Sequence, residues 1–259
     1  MSQSVLIEKN NGVGVIFLNE PDSLNALSAS VKVGLMRAVD ELGHDPETKV
    51  LLLAGKGRAF CAGGDVRAMG GQQTTLEAKS RMDEAAQIVK KIVHLDKPVI
   101  ASVHGYAVGA GFSLALACDL IVAEEGTKFG LAFKNIGLIP DLGLHYFLMM
   151  TASPWKVKEW IWNGAMISAE EGQQYGFVNR LVPQGQGLDA AKKWAYELAS
   201  GPLKAYQLTK SILRRTAAQE LEQVLELENY GQSALRQTKD HQEGIQAFRE
   251  KRNPQFIGE

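Results

Sequence analysis

Residues 97–119, KPVIASVHGYAVGAGFSLALACD, combine a short apolar run, closely spaced glycines and a second apolar run. The first run, 99–103, follows a proline and is rich in β-branched residues, which is typical of a buried strand. The glycines at 105, 109 and 111 precede residues 112–117, which predict a helix whose leading N–H groups have no partner inside it. Such groups can bind an anion or a developing negative oxygen. A tight turn in which glycine only permits close packing is the alternative, and this stretch alone leaves both open.

The same order of elements occurs earlier in the chain. An Asn-Gly pair between residues 5–8 and 13–18 predicts an antiparallel hairpin, and Ser28 is a candidate N-cap for a helix that ends at Gly43. Residues 50–54 are apolar throughout, which predicts a central strand, and a Gly-rich loop at 55–65 follows. Strand and Gly-rich loop thus recur about 50 residues apart, so we expect stacked β-β-α units whose loops face one cleft.

The second half is predicted to be mostly helical. Pro154 precedes a helix over 155–162, Ser168 and Glu171 form a capping box, and 178–182 is a last short strand. Four helices are expected at 190–200, 203–216, 220–236 and 240–251. We expect an α/β core over 1–187 and a helical region over 188–259. An apolar stripe would be buried within the chain or against another subunit, and it comprises Leu221, Val224, Leu225 and Leu227.

Composition excludes several classes of protein. With 259 residues and a net charge of −1, the chain can bury a sizeable core and has no global field that favours nucleic acid or an anionic membrane. Cys61 and Cys118 lack disulfide or zinc spacing, so we expect reduced thiols and no metal. No apolar run approaches the roughly 20 residues that span a bilayer, and no targeting segment is evident. A cytoplasmic protein with no membrane or nucleic-acid partner is therefore expected.

A strand, glycines and a helix in succession also occur in dinucleotide-binding folds. The glycine spacing does not give GxGxxG, since Leu114 stands where the third glycine would fall. There is also no Gly-Lys-Ser/Thr phosphate loop, and no GxSxG motif surrounds Ser113. These absences favour a different use of the glycine-rich turns.

A set of motifs in fixed order resembles the crotonase superfamily, also called the enoyl-CoA hydratase/isomerase family. The motifs are FCAGGDV at 60–66, the opening stretch with its CDL at 118–120, FG at 129–130, GLIP at 137–140, SAEEG at 168–172, GFV at 176–178 and FREKR at 248–252. They cover most of the chain. The resemblance implies a spiral of β-β-α units followed by a C-terminal helical region that packs homotrimers, which commonly pair into hexamers.

The resemblance also implies a site for an acyl-CoA thioester, with coenzyme A as part of the substrate and no separate cofactor. The thioester oxygen would accept hydrogen bonds from the backbone N–H groups of Gly64 and Ala110. Lys56, Arg58 and, from another subunit, Lys251 would face the phosphates, although a solvated surface charge is the commoner explanation of any one of them. The adenine would lie near Leu24, Ala26, Ala62, Asp65 and Val66.

The chain departs from hydratases at the residues that carry the chemistry. Typical hydratases have two glutamates where this chain has Ser113 and Phe133, which we assign to the acyl pocket. A carboxylate stands instead at Asp141, as it does in isomerases of the 2-(1,2-epoxy-1,2-dihydrophenyl)acetyl-CoA type. Asp141 is thus the expected proton carrier for an enolate held by Gly64 and Ala110, unless it only caps the next helix.

The sequence leaves three alternative functions open. The chain could be a hydratase with atypical acid and base residues, a catalytically silent acyl-CoA-binding or assembly protein, or an RNA-binding offshoot, for which the balanced charge gives little support.

For single residues we expect packing roles: His104 in a turn, Cys61 as a small buried residue, and the tryptophans 155, 160 and 162 in the core or an interface. Met149 and Met150 either line an acyl pocket or fill space.

Overall fold

The computed structural model describes residues 3–65, 74–217 and 221–257. Its main sheet has six strands in the order β1-β2-β3-β4-β6-β9. Only β1 and β2 pair antiparallel, through the expected turn at Asn11 and Gly12, which both have positive φ; the other neighbours are parallel. The strands are β1 Val5–Asn10, β2 Val13–Leu18, β3 Val50–Gly55, β4 Val99–Val103, β6 Leu120–Glu124 and β9 Arg180–Val182.

A second, three-stranded sheet contains β5 Tyr106–Val108, β7 Lys128–Gly130 and β8 Met166–Ser168. None of these strands was predicted from the sequence. Each has three residues, which is too short for an alternating pattern to be recognised. Tertiary pairing creates them, because β5 follows β4 directly and binds β7 in parallel, while β7 binds β8 antiparallel.

The helices lie close to their predicted positions, with some corrections. Gly43 does not end α1, which continues to His44, and the Ser168 hydroxyl caps α6 while the Glu171 carboxylate accepts instead from Trp160. Ser28 caps α1, as expected, and Ser153, which was not predicted, caps α5 before Pro154. The helices are α1 Ala29–His44, α2 Thr75–His94, α3 Ala110–Leu116, α4 Leu144–Met149, α5 Pro154–Asn163, α6 Ala169–Gln174, α7 Gly187–Ala199, α8 Leu203–Ala217, α9 Leu221–Leu235 and α10 Lys239–Glu250.

Both faces of the main sheet are covered, which explains why β2 is buried along its whole length. Helices α1 and α2 contribute to the larger hydrophobic cluster on one face, and α7 covers the other face with Ala191, Ala195 and Ala199. Helix α7 therefore packs on the sheet although it follows the predicted division at residue 187, and that division stays a prediction. No helix in the described ranges is long and apolar enough to cross a membrane.

The expected apolar stripe on α9 is shorter than predicted. Leu221 and Leu225 are buried, Val224 is half-buried, and Leu227 is 70% exposed. The helix turns a different face inward, on which Glu228, Asn229, Gln232 and Ser233 are all buried. It packs mainly against α2, so much of the inward face lies within the chain. A buried face with this many polar groups requires partners, and they prove central to the site below.

Replacing Gly111 by alanine is expected to prevent folding or to destabilise the chain by several kcal/mol. A Cβ at this position would lie 2.3 Å from the carbonyl oxygen of Cys61, and backbone atoms have little freedom to move. Gly185→Ala is the matched control, because Gly185 has open space but a φ of +82°, so it should cost only about 1–2 kcal/mol. Chemical denaturation of both variants measures the difference. Equal stabilities would contradict the close approach of the two loops.

Candidate active site

The two glycine-rich loops are joined edge to edge. The N–H of Cys61 donates to the carbonyl of Tyr106 at 3.0 Å, and the N–H of Val108 donates to the carbonyl of Cys61 at 2.9 Å. Gly63, with φ of +90°, passes so near the second loop that a Cβ there would lie 2.4 Å from the Val108 oxygen and 3.2 Å from the Ala110 nitrogen. The structure therefore brings together the segments that carry Gly64 and Ala110, which lie far apart in sequence.

The N–H groups of Gly64 and Ala110 are available as donors. Among the described residues, neither group donates to a backbone or side-chain acceptor. Ala110 is the first residue of α3, where an N–H has no partner inside the helix, and Gly109 before it has a φ of 55°. An oxyanion hole requires two such donors, and this role of Gly64 and Ala110 stays a prediction.

A third loop completes this side of the site. The buried side chain of Asn25 accepts from the N–H of Glu20 and donates to the carbonyls of Lys56 and Ala59, at distances of 2.8–2.9 Å. The carbonyl of Leu24, a residue in the left-handed region, accepts from the N–H of Ala62 at 2.9 Å. Loop 20–27 is thus fixed against loop 55–65, which brings Leu24, Ala26, Ala62 and Asp65 to one place.

The three cations expected to bind phosphates do not contact one another in the described part of the chain. The Lys56 ammonium lies 3.7 Å from the centre of the Phe17 ring and 3.9 Å from a Glu8 oxygen, while Arg58 is exposed. Lys251 is exposed at the end of α10, and no contact joins it to Lys56 or Arg58 within the described part of the chain. Their role toward phosphates stays a prediction, and Val66 lies outside the described residues.

Ser113 lies in the first turn of α3 and Phe133 lies beside it, and their role in an acyl pocket stays a prediction. The Phe133 ring lies next to Gly109, 3.5 Å from where a Cβ would stand. Ser113 is fully buried, and its hydroxyl donates to the backbone carbonyl of Asp141 at 2.8 Å. One turn of helix therefore connects the Ala110 donor to the loop that carries Asp141.

The carboxyl of Asp141 lies in a largely desolvated place. Its Oδ2 accepts from the Gln232 amide at 3.1 Å, while Oδ1 is inaccessible and has no partner among the described residues. Burial raises the pKa of Asp141 to about 7, with a smaller contribution from the negative charge of Glu228; the nearby Gln232 and Arg236 act in the opposite direction. A carboxyl with this pKa exchanges a proton near neutral pH, which is what a general acid or base requires.

Glu228, on α9, holds the segment after Asp141. It is 2% exposed, and its carboxylate accepts from the N–H of Gly143 at 2.6 Å and from the N–H and ring of His145 at 3.1 and 2.7 Å. Glu228 therefore caps α4, whose N-cap is Gly143, and the alternative in which Asp141 is the cap is wrong. The intervening Leu142 has a φ of 53°, a conformation that costs about 1–2 kcal/mol and persists only when neighbours fix it.

The remaining candidates take structural places. His104 contacts the carbonyl of Gly57 at 2.9 Å in a turn, and burial raises the pKa of Cys61 to about 12, so this thiol is not activated. Trp160 is buried, whereas Trp155 and Trp162 are exposed and lie outside the core of this chain. Met149 and Met150 are also exposed, so neither fills space in the core.

The contribution of Asp141 to the free energy of unfolding should fall as pH rises from about 4 to about 7. The folded-state pKa of Asp141, about 7, lies above the roughly 3.9 of an unfolded aspartate, so the folded state holds the extra proton in this window. The contribution is present below pH 4 and is lost on the order of 1.4 kcal/mol per pH unit. Asp141→Asn should remove this slope when unfolding is measured at several pH values. An unchanged slope in the variant would show that Asp141 does not titrate there.

Sequence reasoning missed Glu228, Gln232 and Asn25. A signal for the first two was present, because they continue the stripe of Leu221 and Leu225 at helical spacing, so polar residues stand where core residues are expected. Asn25 gave no comparable signal, since its partners are backbone carbonyls of a distant loop.

Comparison with known proteins agrees with this geometry. A family model described as enoyl-CoA hydratase/isomerase matches residues 8–259. A Bacillus subtilis protein, the candidate enoyl-CoA hydratase/isomerase YhaR, is 38% identical over 95% of this chain and 96% of its own. The 1,2-epoxyphenylacetyl-CoA isomerase of Escherichia coli is 32% identical over the full length of both chains. The crystal structure of an enoyl-CoA hydratase from Mycobacterium avium subsp. paratuberculosis, 32% identical, superposes with a TM-score of 0.87 over 98% of each chain. The chain therefore belongs to the enoyl-CoA hydratase/isomerase family and has the crotonase fold.

Proposed function

We propose that this protein is an acyl-CoA isomerase in which Asp141 moves a proton between carbons of a thioester enolate. The carrying observation is the desolvated carboxyl of Asp141. The backbone of Asp141 accepts from Ser113, which lies one helical turn after Ala110 on α3. The substrate would place its thioester oxygen on the N–H groups of Gly64 and Ala110. Asp141 would remove a proton from one carbon and return it to another, which shifts a double bond or opens a strained ring.

Hydration is the less favoured reaction because the residues that would activate water are missing. Ser113 donates to a backbone carbonyl, and Phe133 packs its ring against Gly109. Neither supplies the acid or the base for adding water, each of which is typically worth about 10²–10⁴-fold. The names of the relatives include both hydratases and an isomerase, so the proposal depends on the residues of this chain.

We propose an active enzyme rather than a silent binding protein, because a buried carboxyl whose pKa is raised to about 7 is suited to proton transfer. We further propose a homotrimer or hexamer in the cytoplasm. Helix α8 supports assembly, because Leu208, Ile212 and Leu213 are each more than half exposed on it. Apolar side chains grouped in this way are typical of subunit interfaces.

The test is a panel of trans-3-hexenoyl-CoA, epoxyphenylacetyl-CoA and crotonyl-CoA, with products separated by chromatography and identified by mass spectrometry. Isomerisation leaves the mass unchanged, whereas hydration adds one water. We expect isomers from at least one of the first two thioesters and slow or no hydration of crotonyl-CoA. Fast hydration of crotonyl-CoA would overturn the isomerase assignment, and turnover of none of the three would favour the silent binding protein.

A further inference from the structure

Buried polar atoms without partners are concentrated at one place in the molecule. Among the described residues there are four buried side-chain atoms without a hydrogen bond: Asp141 Oδ1, Asn229 Oδ1, Gln232 Oε1 and Arg236 Nε. Native proteins leave few such atoms, because each costs its desolvation without a compensating bond. Four in one cluster therefore require an explanation.

Three of the four residues form a strip along α9 and the residue that follows it, which we call the α9 polar strip: Asn229, Gln232 and Arg236. Their spacing of three and four residues places them on one face of the helix. Asn229 and Gln232 are 3% and 1% exposed. The amide of Gln232 contacts Asp141, and Arg236 lies near enough to Asp141 and to Arg81 of α2 to interact electrostatically with both. The strip thus faces the candidate proton carrier.

Several polar atoms of the α9 polar strip have no hydrogen-bond partner among the described residues. The Asn229 and Gln232 amides each donate once, to Asp83 and Asp141 respectively, and their carbonyl oxygens have no donor among the described residues. The Nε of Arg236 is buried and likewise has no acceptor in the described ranges. Burial also lowers the pKa of Arg236, which shows that its charge is poorly solvated. The missing group must therefore both donate and accept hydrogen bonds.

We propose that the acyl group of the substrate carries a hydroxyl that binds between Asp141 and the α9 polar strip. This rests on the proposed function, since it places an acyl chain beside Asp141. A hydroxyl donates to an amide or carboxyl oxygen and accepts from the Arg236 guanidinium, so it satisfies both kinds of free atom. Asp141 as a whole residue is half-buried, and the proposal places the acyl chain against its accessible surface.

A carboxylate at the end of the acyl chain fits less well. It would satisfy Arg236, but it would also face Asp141 and the nearby charge of Glu228, together with amide oxygens that can only accept. A plain alkyl chain would satisfy none of the four atoms. Sites built to hydrogen-bond a hydroxyl strongly reject analogues that lack it, because the buried groups of the site then stay unpaired.

The experiment measures binding of unreactive saturated thioesters by calorimetry, so no turnover is needed. Three matched pairs vary the position of the hydroxyl: butyryl-CoA with 4-hydroxybutyryl-CoA, hexanoyl-CoA with 6-hydroxyhexanoyl-CoA, and phenylacetyl-CoA with 4-hydroxyphenylacetyl-CoA. Adipyl-CoA is the carboxylate arm. We expect the hydroxylated member of at least one pair to bind about 10- to 100-fold more tightly.

Variants identify the residues responsible. Arg236→Met and Gln232→Leu should each remove most of the preference, measured as the ratio of the two affinities within a pair. Arg37→Met is the matched control, because Arg37 is exposed on α1, and it should keep the preference. Circular dichroism checks that all variants fold. If the strip variants do not fold, the affinities of the wild-type protein for the three thioester pairs still test whether a hydroxyl is bound.

The outcomes separate this inference from the proposed function. Equal affinities within all three pairs would overturn the hydroxyl site and leave acyl-CoA binding intact, with ordered water as the partner of the strip. Tighter binding of adipyl-CoA than of every hydroxylated thioester would also overturn it, in favour of a carboxylate. No binding of any thioester would reject the proposed function itself.

Discussion

Asp141→Asn is expected to lower kcat for isomerisation by about 10²–10⁴-fold, with little change in the affinity for acyl-CoA. Asparagine keeps the shape and can still contact Gln232, but it cannot carry a proton. The measurement is steady-state kinetics on trans-3-hexenoyl-CoA, together with incorporation of deuterium from D₂O at the α-carbon. Loss of exchange along with turnover would show that Asp141 removes the proton rather than only orienting the substrate.

The control for this substitution is Asp189→Asn, because Asp189 is an exposed aspartate in the first turn of α7. It changes the net charge equally and should leave kcat unaltered. The parent should show a pH–rate profile with an inflection near neutral pH, where Asp141 changes its protonation state. Isomerisation at the parent rate in Asp141→Asn would reject the assignment.

Ala110→Pro is expected to lower kcat by about 10²–10³-fold, the loss typical of removing one oxyanion-hole donor. Proline removes the N–H without requiring a new backbone conformation, since Ala110 is the first residue of α3 and this position tolerates proline. Substitution by any other residue would retain the N–H and would not test the donor. The readout is kcat for thioesters of different acyl groups, all of which should lose the same factor.

Ala29→Pro provides the control for the presence of proline itself. Ala29 is the first residue of α1, after the Ser28 cap, and is exposed. We expect normal activity and an unfolding free energy within about 1 kcal/mol of the parent. Ala110→Pro with normal stability and normal kcat would show that the oxyanion is stabilised elsewhere.

Elements that depend on local chemistry follow from the sequence alone. Ser28 caps a helix because its hydroxyl can accept from an N–H three residues on, and Asn11 with Gly12 forms the hairpin because both adopt positive φ. The buried strands 50–54 and 99–103 were also predictable, since apolar residues on both faces require cover on both faces. The glycine-rich motifs by themselves indicate the family.

The protonation behaviour of Asp141 and the partners around it depend on tertiary contacts. Asp141 is an aspartate after a proline in the sequence, and its raised pKa arises because α9, some 90 residues later, desolvates it and places Glu228 nearby. The three-residue strands of the second sheet exist only through pairing with one another. Burial and electrostatic interaction depend on distance in space, and a single sequence does not specify which distant side chains will meet.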